Sequence, residues 1–177
     1  ITAGLFAQRM GLPIKHFIAA NNANDIFYNY LLSGIYSPKA SIQTIANAMD
    51  VGDPSNFARI LDLYKSSHAE ICNHISGATY SDDEIAATMK KCYEKTGYVL
   101  DPHGACGYQA LKDNLKEGET GVFLETAHPA KFKEKVDAIL STDIEIPTRL
   151  ADFMKGKKQS LEMAADFSAF KQFLLSV

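Results

Sequence analysis

His16-Phe17-Ile18-Ala19-Ala20, followed at once by Asn21-Asn22-Ala23-Asn24-Asp25, is the stretch that decides the fold. The first part is a short apolar run of the kind that makes a buried strand. Asn and Asp side chains bond nearby backbone groups, so the polar run after it suits a tight loop. Asp25 then stands where it can cap a helix through Ile26, Tyr28 and Leu31 that ends near Gly34. Upstream, Thr2 to Met10 reads as a helix, stopped by Gly11-Leu12-Pro13. Helix, buried strand and helix in that order begin an α/β alternation.

The alternation returns downstream. Thr44 to Met49 reads as a strand end or short helix, and Asp50-Val51-Gly52-Asp53-Pro54-Ser55-Asn56 is turn chemistry. Pro54 suits a first helical turn, and Phe57, Ile60, Leu61 and Tyr64 follow the spacing of an amphipathic helix. Residues 66–80 give no clear pattern. Ser81-Asp82-Asp83-Glu84 is a capping box for a helix with Ile85, Met89 and Cys92 on one face, closed by Gly97. Tyr98-Val99-Leu100 predicts a short strand and Asp101-Pro102-His103-Gly104 a turn. Tyr108, Leu111 and Leu115 mark the next helix. Gly121-Val122-Phe123-Leu124-Glu125-Thr126 is the clearest strand, and Lys131 to Leu140 another helix. Ile144-Glu145-Ile146 reads as extended ahead of Pro147. A final helix is expected from about Ser160 to Leu175, with Met163, Phe167, Phe170 and Leu174 on one stripe.

Short buried strands alternating with helices predict an α/β fold, a three-layer parallel sheet with helices on both faces. Ligands in such sheets sit beyond the carboxyl ends of the strands. The loops to watch are therefore Asn21 to Asp25, Asp101 to Gly104, and Thr126 to Pro129. Each has a plainer reading: turn-forming Asn residues, a loop His at position 103, and a buried, satisfied His at position 128.

Bulk properties narrow the function. The chain has 177 residues, enough for a hydrophobic core, and its net charge of -3 is spread along it. No basic cluster is present to neutralise a phosphate backbone, so nucleic acid is not expected as a partner. No apolar run is long enough for a membrane span. Cys72, Cys92 and Cys106 lack CxxC spacing and read as free thiols of a reducing, cytoplasmic protein. Short His or Cys spacing for zinc is absent too. A nucleophilic Cys106, in Gly104-Ala105-Cys106-Gly107, is the reactive alternative. No GxGxxG or GxxxxGK[ST] occurs. The chain opens Ile1-Thr2-Ala3-Gly4-Leu5-Phe6, without Met and already helical in pattern, so a cut from a longer chain is expected.

Six stretches, in order, carry a resemblance: Ile1-Thr2-Ala3-Gly4-Leu5, Gly11-Leu12-Pro13-Ile14-Lys15, Asn22-Ala23-Asn24-Asp25, Asn47 to Phe57, Asp101-Pro102-His103-Gly104-Ala105, and Thr126-Ala127-His128-Pro129-Ala130-Lys131-Phe132. Together they resemble the carboxy-terminal half of the threonine synthase family, from Ile1 to about Phe153. The resemblance implies a fold-type II enzyme dependent on pyridoxal 5'-phosphate (PLP). It implies conversion of O-phospho-L-homoserine and water to L-threonine and phosphate. The lysine that holds the cofactor and the loop that cradles its phosphate would lie upstream of Ile1, whose helix would offer its positive end to that phosphate. Residues 1–177 would be the carboxy-terminal part of the cofactor-binding region, with about 154–177 a helical extension. Such a piece would be inactive alone and prone to self-association through exposed apolar surface.

The resemblance also assigns cofactor contacts. Thr126 matches the residue whose hydroxyl meets the pyridine nitrogen. Asn47 and Asp50 match the segment beside the ring, and His103 the neighbouring wall. Each of these three has loop architecture as its plainer role. Asn21 stands where relatives often have Thr, and Phe27 and Tyr28 where many have small aliphatics. Cys106 fills a small-residue position, which favours packing. Two other readings stay open: another enzyme of this PLP fold, such as a threonine dehydratase, and a non-catalytic module that binds small ligands.

Overall fold

The computed structural model describes residues 1–176. Its helices are α1 (Thr2–Arg9), α2 (Ile26–Ser33), α3 (Phe57–Leu63), α4 (His68–His74), α5 (Asp82–Thr96), α6 (Pro102–Asn114), α7 (Lys133–Leu140), α8 (Thr148–Met154) and α9 (Phe167–Ser176). Two strands, β1 (Phe17–Asn21) and β2 (Ile75–Thr79), pair in parallel from Phe17 opposite Ile75 to Asn21 opposite Thr79. A parallel pair needs a long crossover, and here it is made by α2, α3 and α4.

Successive strand residues point to opposite faces, and β1 shows what each face meets. Ile18 and Ala20, with Ala78 of β2, pack against Ile85, Met89, Leu100, Ala105 and Cys106 on the side of α5, α6 and α7. Phe17 and Ala19, with Ile75, pack against Leu5, Tyr30, Leu31 and Ile71 on the side of α1, α2 and α4. The sheet therefore lies between two helical layers, which is the expected three-layer α/β arrangement with helices on both faces.

Local chemistry explains the best-marked elements. The Ser81 N–H donates to Glu84 Oε2 at 2.8 Å while Ser81 Oγ accepts the Glu84 N–H at 3.4 Å, so the capping box of α5 is complete. Asp82, Asp83 and Glu84 also complement the positive end of that helix. Ile85, Met89 and Cys92 are buried as their spacing predicts, and Gly97, at φ 72°, ends the helix in a left-handed turn.

Several expectations are corrected. Among the described residues only β1 and β2 pair, so Tyr98-Val99-Leu100, Gly121–Thr126 and Ile144–Ile146 are not strands of a sheet. Burial over Gly121–Thr126 does alternate with period two. Phe123 and Glu125 are half-buried, whereas Val122 and Leu124 are 80% and 73% exposed. The alternation is a local property, but a ladder needs a neighbour, and no described segment provides one. Conversely, the unpatterned residues 66–80 hold α4 and β2. Asp101 to Gly104 is the start of α6 rather than a free turn, with Pro102 at its first position. Asp25 stands at the start of α2 without capping it, because its carboxylate pairs with Lys39 at 2.7 Å. A 3₁₀ turn, Pro129–Phe132, precedes α7. Pro147 opens α8, which the sequence pattern did not reveal, and α9 begins only at Phe167.

The chain divides into Ile1–Ile144 and a second unit from Glu145 onward. Neither α8 nor α9 of the second unit buries a residue, and Phe167, Phe170 and Leu174 stand exposed. No described helix is long and apolar enough to cross a membrane.

Gly77 sits where α2 presses on β2. A Cβ there would meet Tyr28 Cδ2 at 2.8 Å and Leu31 Cδ1 at 3.1 Å. Gly77→Ala is expected to cost about 1–3 kcal/mol by overpacking, measured as the change in free energy of urea unfolding.

Candidate functional site

The start of α6 is organised by one buried carboxylate. Asp101 is fully buried, and its Oδ1 accepts the His103 N–H at 2.7 Å, the Gly104 N–H at 3.4 Å and the His103 Nδ1 proton at 2.6 Å. An Asp at the N-cap with Pro next is a strong helix start. With Nδ1 donating, Nε2 is free to accept, and it takes the Ala48 N–H at 3.0 Å. The His103 ring also rests on Phe132, centroids 4.7 Å apart. One imidazole thus ties the start of α6 to the 3₁₀ turn Asn47–Met49.

That turn is held from its other end by Asp50. Asp50 Oδ1 accepts from Asn22 Nδ2 at 2.8 Å, Asn24 Nδ2 at 3.1 Å and Thr44 Oγ1 at 2.7 Å, and Oδ2 accepts the Thr44 N–H at 3.0 Å. Asn22 is fully buried, and its Oδ1 accepts the Asn24 N–H at 2.9 Å. Asn24 in turn grips Ile42, donating to its carbonyl at 2.8 Å and accepting its N–H at 2.7 Å. The loop is pinned to the helices behind it as well. The Ile45 N–H donates to Asp82 at 3.1 Å, and Lys135 Nζ donates to the Thr44 carbonyl at 3.1 Å. Buried amides and carboxylates are tolerated here because each finds partners.

A cleft of about 260 Å³ opens beside this network. Its lining includes Thr2 at the start of α1, Ala19 and Asn21 at the carboxyl end of β1, Asn24, Met49 and Phe57. This is the strand-end position where α/β folds place ligands. A larger open depression between α5 and α6, beside Lys91, Lys95 and Lys112, lies away from the strand ends.

The third loop reaches α6 through Glu125. Its Oε1 accepts the Asp101 N–H at 2.7 Å. Burial pushes the Glu125 carboxyl up to about 7, and the neighbouring Asp101 carboxylate adds to the shift against the opposing pull of the Asp101 N–H. For Asp101, burial also acts upward, but the His103 ring, the adjacent Glu125 carboxyl and the His103 N–H together outweigh it and hold the group below the ordinary carboxylate value. Thr126, the next residue, is exposed, and among the described residues its hydroxyl has no hydrogen-bond partner.

The four predicted residues therefore take different places. His103 is a tether between α6 and the Asn47–Met49 turn and is not among the residues lining the strand-end cleft. Asn47 is exposed and opens the 3₁₀ turn, its carbonyl accepting the Asp50 N–H at 3.1 Å. Asp50 has both oxygens taken up by the loop. Thr126 presents a free hydroxyl from the segment that Glu125 anchors. Continuous hydrogen bonding runs from Asp50 through the Asn47–Met49 turn, His103 and Asp101 to Glu125. His128 is exposed, and its Nδ1 accepts the Ala130 N–H at 3.1 Å, capping a turn. Burial pushes the Cys106 thiol up to about 12, with Asp101 contributing, which suits packing and not nucleophilic attack. Asp101, Glu125, Asn22 and Asn24 are the residues that the sequence reading did not single out as site residues. An ionisable residue on the buried face of an apolar strand pattern, as at Glu125, was the available signal.

Two family models match the chain. That of the pyridoxal-phosphate dependent enzymes covers residues 2–126, and that of the threonine synthase C-terminal region covers residues 104–174. Threonine synthase of Haemophilus influenzae is 46% identical over 99% of the chain and 41% of that protein. Among solved structures, threonine synthase from Escherichia coli superposes with a TM-score of 0.83 at 41% identity, over 99% of this chain and 40% of that one. A PLP-bound threonine synthase from Brucella melitensis superposes with a TM-score of 0.81 at 31% identity, over 97% of this chain and 42% of that one. The chain spans about two fifths of the length of the relatives it matches.

Asp50→Asn turns one acceptor into a donor that must face Asn22, Asn24 or Thr44. The expected cost is about 1–3 kcal/mol, read by urea unfolding. Faster proteolysis within residues 42–50 is expected alongside it.

Proposed function

The chain belongs to the family of pyridoxal-phosphate-dependent enzymes, and from that premise we propose that it is the carboxy-terminal part of a threonine synthase. The reaction proposed is conversion of O-phospho-L-homoserine and water to L-threonine and phosphate. The segment from residue 1 contributes to the cofactor-binding region, and about 154–177 is a helical extension of it. The cofactor's lysine is supplied from elsewhere in the protein.

The observation that carries this reading is the placement of Thr126. Its free hydroxyl stands beside Glu125, which is bonded through Asp101 and His103 to the turn that borders the strand-end cleft. The donors on offer fit PLP: the start of α1 at the cleft for an anion, and for the ring nitrogen the neutral hydroxyl of Thr126, which is not itself among the residues lining the cleft. Bound PLP supplies an electron sink for charge released at the substrate's α and β carbons.

The chain's own residues would do the following. Thr126 would donate one hydrogen bond to the ring nitrogen without bringing a full charge there, which leaves that nitrogen largely unprotonated. Glu125, pushed up to about 7 by burial, keeps its proton below that pH and there does not add a second full charge next to Asp101. His103 keeps Nε2 on the Ala48 N–H and holds the Asn47 turn against the cofactor side. Asn21 and Asn24 line the cleft with amide N–H groups already bonded to Ala19, Ala78, Ile42 and Asp50, so they hold the shape of its wall.

The full-length protein is expected to release inorganic phosphate and form threonine in equal amounts from O-phospho-L-homoserine. Formation of 2-oxobutyrate from threonine, with no phosphate release from O-phospho-L-homoserine, would overturn the assignment in favour of a dehydratase. Thr126→Val is expected to lower kcat about tenfold, the equivalent of about 1.4 kcal/mol for one hydrogen bond. It should also shift the absorption band of the bound cofactor, whereas an unmoved band would contradict the contact.

A further inference from the structure

Two buried oxygen atoms have no hydrogen-bond partner among the described residues, and they belong to neighbouring groups: Asp101 Oδ2 and Glu125 Oε2. The other oxygen of each carboxyl is in use. Asp101 Oδ1 takes the His103 and Gly104 bonds, and Glu125 Oε1 takes the Asp101 N–H. Two unpartnered acceptors buried together are unfavourable, and two adjacent ionised carboxylates more so. One proton placed between them satisfies both atoms. The arrangement is a close one, since a Cβ at Gly104 would lie 1.8 Å from Glu125 Oε2, so only glycine at that position lets the carboxyl seat against α6.

We propose that Glu125 is a positioning residue that shares a single proton with Asp101, Oε2–H donating to Asp101 Oδ2, and that this bond fixes Thr126 relative to the Asn47–Met49 turn. The part of this inference that concerns Thr126 rests on the function proposed above. The proton sharing does not. Glu125 carries the acid because it has fewer donors around it. Asp101 accepts from two N–H groups and an imidazole, whereas Glu125 accepts from one N–H. The opposite directions of the two groups, Glu125 up and Asp101 down, agree with that division.

The surroundings leave the pair to itself. From α6 the groups near it are His103, already bonded to Asp101, and the neutral Cys106 thiol. From the segment before α6 there is Tyr98, whose hydroxyl is pushed up by burial and then by Glu125 and Asp101. Among the described residues no Lys or Arg forms an ion pair with either carboxyl. Glu125 holds its proton more tightly folded than unfolded. Its contribution to stability is therefore full below the ordinary carboxylate range and is lost as pH rises through about 7.

The test compares E125Q and E125A in the full-length protein. Glutamine keeps an acceptor for the Asp101 N–H and a donor for Asp101 Oδ2, with nothing to titrate. The melting temperature of the wild type is expected to fall as pH rises from about 5 to about 8, and that of E125Q to lose this slope. The infrared spectrum of the wild type near pH 6 should carry a buried carboxylic-acid carbonyl band that E125Q lacks. E125A should weaken PLP binding about 10- to 100-fold by freeing the Thr126 segment, and E125Q should restore most of that loss. Persistence of the pH slope in E125Q, or absence of the acid band, would overturn the proton sharing. Equal loss of PLP binding in E125Q and E125A would overturn the positioning role. If the protein formed no threonine but the slope and the band behaved as stated, the functional reading would fail and the shared proton would stand.

Discussion

Asp101 is the point at which three separate stretches of this chain meet. Its carboxylate caps α6, its Oδ1 fixes the His103 ring, and its backbone N–H binds Glu125. Each bond constrains a different segment. The cap starts a helix that packs on β1, the ring reaches the Asn47–Met49 turn, and Glu125 draws in the strand-like segment that ends in Thr126. A fully buried carboxylate is costly unless it is hydrogen-bonded. Here the groups that compensate the burial are the ones that assemble the site, so stability and site geometry depend on the same contacts.

The second constraint is close packing around a small parallel pair of strands. β2 is Ile75-Ser76-Gly77-Ala78-Thr79, mostly small residues, because α2 lies directly on it. Small side chains bring the crossover helices near enough to bury Leu31 and Ile71 on one face. The other face is sealed by α5 and α6 through Met89, Ala105 and Cys106. With both faces covered, the carboxyl end of β1 is where the strand opens to the cleft, and the Asn22–Asp50 network lies there.

Legibility of this architecture from sequence followed how local each signal is. The Ser81 capping box, the Ile85-Met89-Cys92 face and the Gly34 and Gly97 helix ends depend on near neighbours, and all are found as read. β1 is an apolar run and is legible, but β2 lacks bulky apolar residues and so shows no strand pattern. Asp101-Pro102-His103-Gly104 contains the residues of a turn and of a capped helix start at once, and only the following turns of helix decide between them. Gly121–Thr126 has the alternation of a strand, yet pairing depends on a neighbour that sequence spacing cannot supply. For the site, Thr126, His103, Asn47 and Asp50 came from a family resemblance, while Asp101 and Glu125 matter through burial and mutual contact. Those are tertiary properties. No periodicity reports that Glu125 faces a carboxylate 24 positions earlier in the chain.

The most direct test of the whole account is a crystal structure of the full-length protein with PLP bound. The account predicts Thr126 Oγ1 within hydrogen-bond distance of the pyridine nitrogen, with the bonds from Glu125 through Asp101 and His103 to Ala48 intact behind it. A pyridine nitrogen that meets a carboxylate or solvent in place of Thr126, or a Glu125 carboxyl swung away from Asp101, would contradict it.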